Sequence, residues 1–100
     1  MNIGILFTKK IPKNKLKDID LILSLINSED DLFTLDQSKN LDYLKQKSKK
    51  IKIKSCNDLY NDVAELAESA DHFFVFAGRG SGLFNVVKQH SKSYLNVVLN

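Results

Sequence analysis

One hundred residues, 43% apolar and 27% charged, make one domain of ordinary globular composition, with room for a single core and no second one. No apolar run approaches the roughly 20 residues of a membrane span. Met1-Asn2-Ile3-Gly4 enters strand-like sequence at once, so neither membrane contact nor a signal peptide is expected, and the expected location is cytoplasmic. A lone cysteine, Cys56, excludes an internal disulfide and leaves no second thiol for a zinc site. The net charge of +3 hides an asymmetry: up to Asn57 there are twelve lysines against seven acids, and from Asp58 on three basic residues against five acids. A positive half attracts phosphorylated ligands or nucleic acid. A solvated lysine-rich surface is the simpler account of it. Arginine, the better bidentate reader of phosphates and bases, occurs once, as Arg79, which weakens the case for nucleic acid.

The first element, Asn2–Phe7 (NIGILF), is a nearly continuous apolar run, the pattern of a central parallel strand covered on both faces. Thr8–Lys15 is polar, holds the only proline and reads as a loop. Leu16, Ile19, Ile22, Leu23 and Ile26 recur at helical spacing, giving a helix from about Asn14 to Asn27. Leu32–Leu35 is a second short strand. Asp36 and Ser38 are N-cap candidates for a helix through Leu41, Leu44 and Lys47. Ile51-Lys52-Ile53 alternates and predicts a half-buried edge strand whose lysine faces solvent. Asn57 is placed to cap a helix with apolar positions Leu59, Val63, Leu66, Ala67 and Ala70. Asp58 and Asp62 suit the dipole of its first turns. A second strongly apolar strand, Phe73–Ala77, a helix over Leu83–His90 and a last strand over Tyr94–Leu99 complete the chain.

Strict β-α alternation with short connections predicts a three-layer Rossmann-like α/β sandwich with a five-stranded parallel sheet. The two most apolar runs, the first and fourth strands, should be central, which favours the order 3-2-1-4-5 over 2-1-3-4-5. The switch point then lies between those two strands, and the loops leaving them open on one crevice. One loop carries Thr8, Lys9 and Lys10, and the other reads Gly78-Arg79-Gly80-Ser81-Gly82.

That second loop departs from the dinucleotide fingerprint G-x-G-x-x-G, because its third glycine comes one residue early, and it is no P-loop. Its context, after a strand and before a helix, is nevertheless that of an anion cradle. Glycines let backbone N–H groups approach a phosphate, and Ser81 is able to cap the helix or bind a phosphate oxygen. The alternative is a tight turn that merely joins the two elements. Arg79, Lys9 and Lys10 would neutralise a phosphate and Thr8 would add a hydroxyl. Asp36, at the end of the second strand, sits where Rossmann folds commonly hold a ribose, or else is a plain cap. His72 lies at the opposite end of its strand and reads as structural. His90 falls on the apolar helix face with Leu83, Val86 and Val87. Cys56 precedes a helix N-terminus, where thiolates are stabilised.

Taken together, Ala70–Leu99 resembles the SLOG superfamily, the Rossmann-like group that includes DprA/Smf and the LOG phosphoribohydrolases. The shared pattern is an Ala70-Asp71 turn, an apolar strand, a loop close to P-G-G-x-G-T (here Phe76-Ala77-Gly78-Arg79-Gly80-Ser81), a helix and a final strand. The resemblance implies the order 3-2-1-4-5 and is specific over about thirty residues; in length the chain is similar to the small nucleotide-sensor branch. LOG enzymes carry a catalytic glutamate three residues past the threonine, and related deoxyribosyltransferases need one on the same helix. That position is Phe84, and no acid occurs between Gly82 and Asn100. DprA-like binding of single-stranded DNA would need length and arginines that this chain lacks.

The expectation is therefore a binding domain without identifiable catalytic or metal-ligating residues. Its ligand would be a small phosphorylated, nucleotide-derived molecule, a nucleotide or an ADP-ribose-like compound, held for sensing or sequestration. The alternatives are a hydrolase of nucleotide N-glycosidic bonds and a module that binds nucleic acid or protein through its lysine-rich edge. A homodimer formed through helices or an edge strand is a further expectation, with Phe84 as a candidate exposed aromatic.

Overall fold

The structure, a computed structural model, describes residues 1–100. The elements in order are β1 (Asn2–Phe7), a 3-10 turn (Lys13–Lys15), α1 (Leu16–Leu23), β2 (Asp31–Leu35), α2 (Leu41–Lys47), β3 (Lys52–Lys54), α3 (Leu59–Ser69), β4 (His72–Ala77), α4 (Leu83–His90) and β5 (Tyr94–Val98). All five strands are parallel, in the order β3-β2-β1-β4-β5. The continuous apolar runs lie in the middle because β1 and β4 are the strands that must be dry on both faces. Ile3, Ile5, Phe7, Phe74 and Phe76 point to one face and pack against Ile19 and Leu23 of α1 and Leu44 of α2. Leu6, Phe73, Val75 and Ala77 point to the other and pack against Val63 and Leu66 of α3 and Leu83 and Val87 of α4. No helix is long and apolar enough to cross a membrane.

Four local readings need correction. The helix expected over about Asn14–Asn27 is shorter at both ends. It begins after the 3-10 turn and stops at Leu23, because the next turn tightens: Leu25 and Ile26 donate to carbonyls three residues back, and the Ser24 hydroxyl donates to the Leu21 carbonyl at 2.6 Å. Neither Asp36 nor Ser38 caps α2. Both side chains are committed elsewhere, and the helix starts after Asn40, which is left-handed at φ 61°. β3 is shifted to Lys52–Lys54 and is exposed at every position; Ile51 instead packs against the α1–α2 core. It is nonetheless the edge strand expected, and the ammonium groups of Lys52 and Lys54 lie 5.2 and 5.4 Å from the centre of the Phe33 ring, which their stems cover. The cap of α3 is Asp58 rather than Asn57. Asp58 Oδ1 accepts from the Asn61 N–H, while Asp62 Oδ2 accepts from the amides of both Asn57 and Asp58. Those two backbone bonds hold the Asp62 carboxyl below the usual range.

Candidate functional site

The carboxyl ends of β1 and β4 sit side by side at the switch point, where crevices of open parallel sheets bind ligands. β1 delivers Thr8 and Lys9 there, and β4 delivers Gly78–Gly82. The two loops are joined at the base, since the Thr8 N–H donates to the Phe76 carbonyl at 3.0 Å. Lys9 lies across the first glycine: a Cβ on Gly78 would stand 3.1 Å from Lys9 Cε and 3.2 Å from Nζ. The ammonium also donates to Asn100 Oδ1 at 3.2 Å. The first loop is held in place by Asn40, whose amide donates to the Lys9 carbonyl at 2.8 Å and accepts from the Ile11 N–H at 3.3 Å. Asn40 is the kind of residue that tolerates the left-handed conformation this bridge requires.

Within the glycine loop, Ser81 N–H closes a turn onto the Gly78 carbonyl, and Ser81 Oγ accepts from the Leu83 N–H at 3.3 Å. Ser81 thus serves the first turn of α4, one of the two roles open to it. The N–H groups of Arg79, Gly80 and Gly82 donate to no acceptor of the chain. Gly80 has φ +78° with nothing within 4 Å of where a Cβ would be, so the loop presents backbone and open space together. Arg79 is exposed and enters no ion pair. Tyr60 of α3 reaches over the far end of the loop, and its hydroxyl is 2.5 Å from a Cβ placed on Gly82. Nothing in the spacing of Tyr60 points to this position. Only the packing of α3 beside α4 brings it there.

The remaining candidates lie apart from the glycine loop. Thr8 and Asp36 share a hollow of about 500 Å³ with Gln37, Ser38, Lys39 and Leu59, beside the loop rather than over it. Asp36 Oδ1 accepts from the Cys56 N–H at 3.0 Å, and its exposed carboxylate borders the hollow. Ser38 is buried and accepts from the Phe7 N–H at 3.0 Å, which finishes the β1 end where no strand residue continues it. Lys10 turns towards the start of α2, lining a separate hollow with Lys39 and Asn40. Lys9 and the glycine loop therefore form one unit, Thr8 and Asp36 a neighbouring one, and Lys10 belongs to neither.

Three other side chains raised by the sequence are accounted for by packing or by a surface pair. Phe84 is not the exposed aromatic expected, because it is partly buried against the α3–α4 core. His72 stacks edge-on against Phe74 and pairs with Ser93 Oγ at 2.7 Å; burial pulls its pKa below the usual histidine value. His90 pairs with Glu68 at 2.7 Å on the surface. Cys56 also departs from expectation. Burial raises its thiol above the ordinary cysteine value, and the carboxylates of Asp62, Asp36 and Asp58 push the same way, overriding the helix N-terminus. Raising a thiol's pKa lowers its thiolate fraction at neutral pH. Alkylation of Cys56 by iodoacetamide should accordingly be slower than that of a free cysteine at pH 7.5, its rate rising only at higher pH. A mass-spectrometric time course checks this, and rapid labelling at pH 7.5 would overturn it.

No protein-family model matches the chain, and neither a curated protein nor a solved structure does.

Proposed function

We propose that this domain binds a small phosphorylated, nucleotide-derived ligand at the glycine loop, for sensing or sequestration rather than turnover. The observation that carries the reading is the unspent donor set of the loop. The amides of Arg79, Gly80 and Gly82 have no acceptor in the chain and lie next to the N-terminus of α4, with the Lys9 ammonium against the first glycine of the same loop, Gly78. Backbone donors and a helix dipole beside open space, with a cation on the same loop, are what a phosphate needs. Arg79 is free to close over the anion from the outer side. The hollow bordered by Thr8 and Asp36 is the candidate place for a sugar attached to that phosphate, and Tyr60 stands beside Gly82 on the α3 side. The SLOG-like pattern of Ala70–Leu99 supports the same class of ligand. No carboxylate stands on α4, where Phe84 faces the core, which argues for binding without glycosidic cleavage.

A thermal-shift panel of mononucleotides, cyclic and linear dinucleotides, NAD and ADP-ribose tests the reading. One ligand class should stabilise the protein by about 2.7 kcal/mol at a hundred times its dissociation constant and be recovered intact. Arg79→Ala removes an exposed side chain and should abolish the shift while leaving the unliganded protein unchanged. Gly80→Val forces a β-branched residue to positive φ and should abolish it by distorting the loop. No shift with any ligand would overturn the proposal, and release of free base would convert it to the hydrolase alternative.

A further inference from the structure

The sheet has two free edges, and they are built differently. β3 carries Lys52 and Lys54 on one face. If two β3 strands paired antiparallel about Ile53, each Lys52 would stand opposite a Lys54, and like charges directly opposite destabilise a strand pair. That edge is guarded. β5, Tyr94-Leu95-Asn96-Val97-Val98, has no charge, no proline and no bulge. Three of its side chains are among the exposed large apolar groups of the molecule: Tyr94 at 39%, Leu95 at 38% and Val98 at 39%.

The ladder with β4 fixes which backbone groups are free. Phe73 N–H donates to the Ser93 carbonyl and Leu99 N–H to the Ala77 carbonyl, so the odd-numbered residues of this segment face β4. The amides and carbonyls of Tyr94, Asn96 and Val98 therefore face outward, where only the Val98 carbonyl has a partner, the Lys15 ammonium at 3.1 Å. This set is its own complement. In an antiparallel pair of β5 strands centred on Asn96, Asn96 exchanges both bonds with Asn96 of the second copy, and Tyr94 does so with Val98, whose carbonyl takes the Tyr94 N–H on its second lone pair or in place of the Lys15 ammonium. The cross-strand neighbours are then Tyr94 with Val98 on the α4 face and Leu95 with Val97 on the α1 face, aromatic or aliphatic against aliphatic in each case. The two Lys92 side chains lie at opposite ends of the ribbon; each stands across from Asn100 of the other copy, whose carbonyl accepts from Lys15 at 2.9 Å, so one approach of Lys92 to Lys15 at each end weakens the pairing. A β3–β5 pairing would be head-to-tail and open-ended, whereas β5–β5 closes on a two-fold axis.

We infer that β5 is a self-association edge, through which two copies of this chain join their sheets about an axis at Asn96. The strand is five residues long, short of what a standard interface of roughly 1,600 Å² requires, so the dimer is weak and concentration-dependent. The glycine loop is not part of this contact, and the inference is independent of the ligand.

Sedimentation velocity from about 1 μM to about 1 mM, the range of weak specific complexes, tests it on the whole chain. The wild type should pass from monomer to dimer. Leu95→Lys and Val98→Lys should each move the midpoint about tenfold higher, since every substitution enters the two-fold contact twice, while Lys52→Ser at the other edge should not weaken the association. Amide exchange on the wild type needs no variant: the N–H groups of Tyr94, Asn96 and Val98 should gain protection as concentration rises. A monomer throughout would overturn the inference, as would a dimer whose Tyr94 and Asn96 amides exchange at the monomer rate, or a series of open-ended larger species.

Discussion

Replacing Phe76 with alanine is expected to remove about 3–5 kcal/mol of stability, a large share of the 5–15 kcal/mol that holds a typical domain together. Phe76 is fully buried, and its ring stacks on Phe7 with centroids 4.4 Å apart and planes 9° from parallel. The two residues are register partners on β1 and β4, so the stack joins the central strands on the face covered by α1 and α2. Tyr43 of α2 meets Phe7 edge-on at 6.3 Å, and its hydroxyl donates to Asp20 of α1, which also takes the Lys47 ammonium at 2.8 Å. The Lys47 and Tyr43 hydrogen bonds hold the Asp20 carboxyl below its usual range. Deleting the Phe76 ring therefore opens a cavity under a helix pair braced above it, where collapse is resisted. Urea unfolding should show a lower midpoint with an unchanged slope. A loss under about 1 kcal/mol would mean that the Phe7 ring swings into the gap.

Gly4→Val should also be strongly destabilising, with a sign opposite to strand propensity. Valine is the better strand former, and glycine in a strand interior ordinarily costs about 0.5–1 kcal/mol relative to alanine. Here Gly4 is the register partner of Phe73 and shares its face, and the buried Phe73 ring fills the space a side chain would take. A Cβ at Gly4 would stand 2.7 Å from Phe73 Cδ2 and 3.0 Å from Cε2. The ring is fully buried among the residues packed under α3 and α4, so any shift displaces other core side chains. Overpacking of this kind costs about 1–3 kcal/mol and occasionally more, so Gly4→Ala should lower the melting temperature and Gly4→Val lower it further. An increase in either variant would show that Phe73 has an alternative rotamer.

Hydropathy made the architecture legible. β1 and β4 are unbroken apolar runs, so they had to be central, and their neighbours followed from alternation and short connections. β4 and α4 run through the stretch where sequence signals agree, an apolar run, a glycine cluster and an amphipathic period, and their bounds match expectation to within one residue. α2 and β3 are shorter elements that pack on one face or lie at an edge, and local pattern there is weak. The Asp36 and Ser38 caps failed for a different reason. A carboxylate or hydroxyl before a helix is an N-cap signal only while nothing else competes for it, and here the Cys56 and Phe7 amides do.

At the site, local pattern is enough to show that a glycine-rich turn follows a buried strand and opens a helix, because glycine spacing and apolar periodicity are local properties of the chain. Tertiary structure alone decided what surrounds that turn. Lys9 crosses Gly78 while Lys10 turns away, because a left-handed Asn40 pins the backbone between them. Tyr60 covers Gly82 because α3 packs beside α4, and β5 presents Tyr94, Asn96 and Val98 outward because the ladder with β4 consumes the alternate residues. Each of these depends on which face or edge a residue occupies once distant segments have met, and no window of local sequence contains that information.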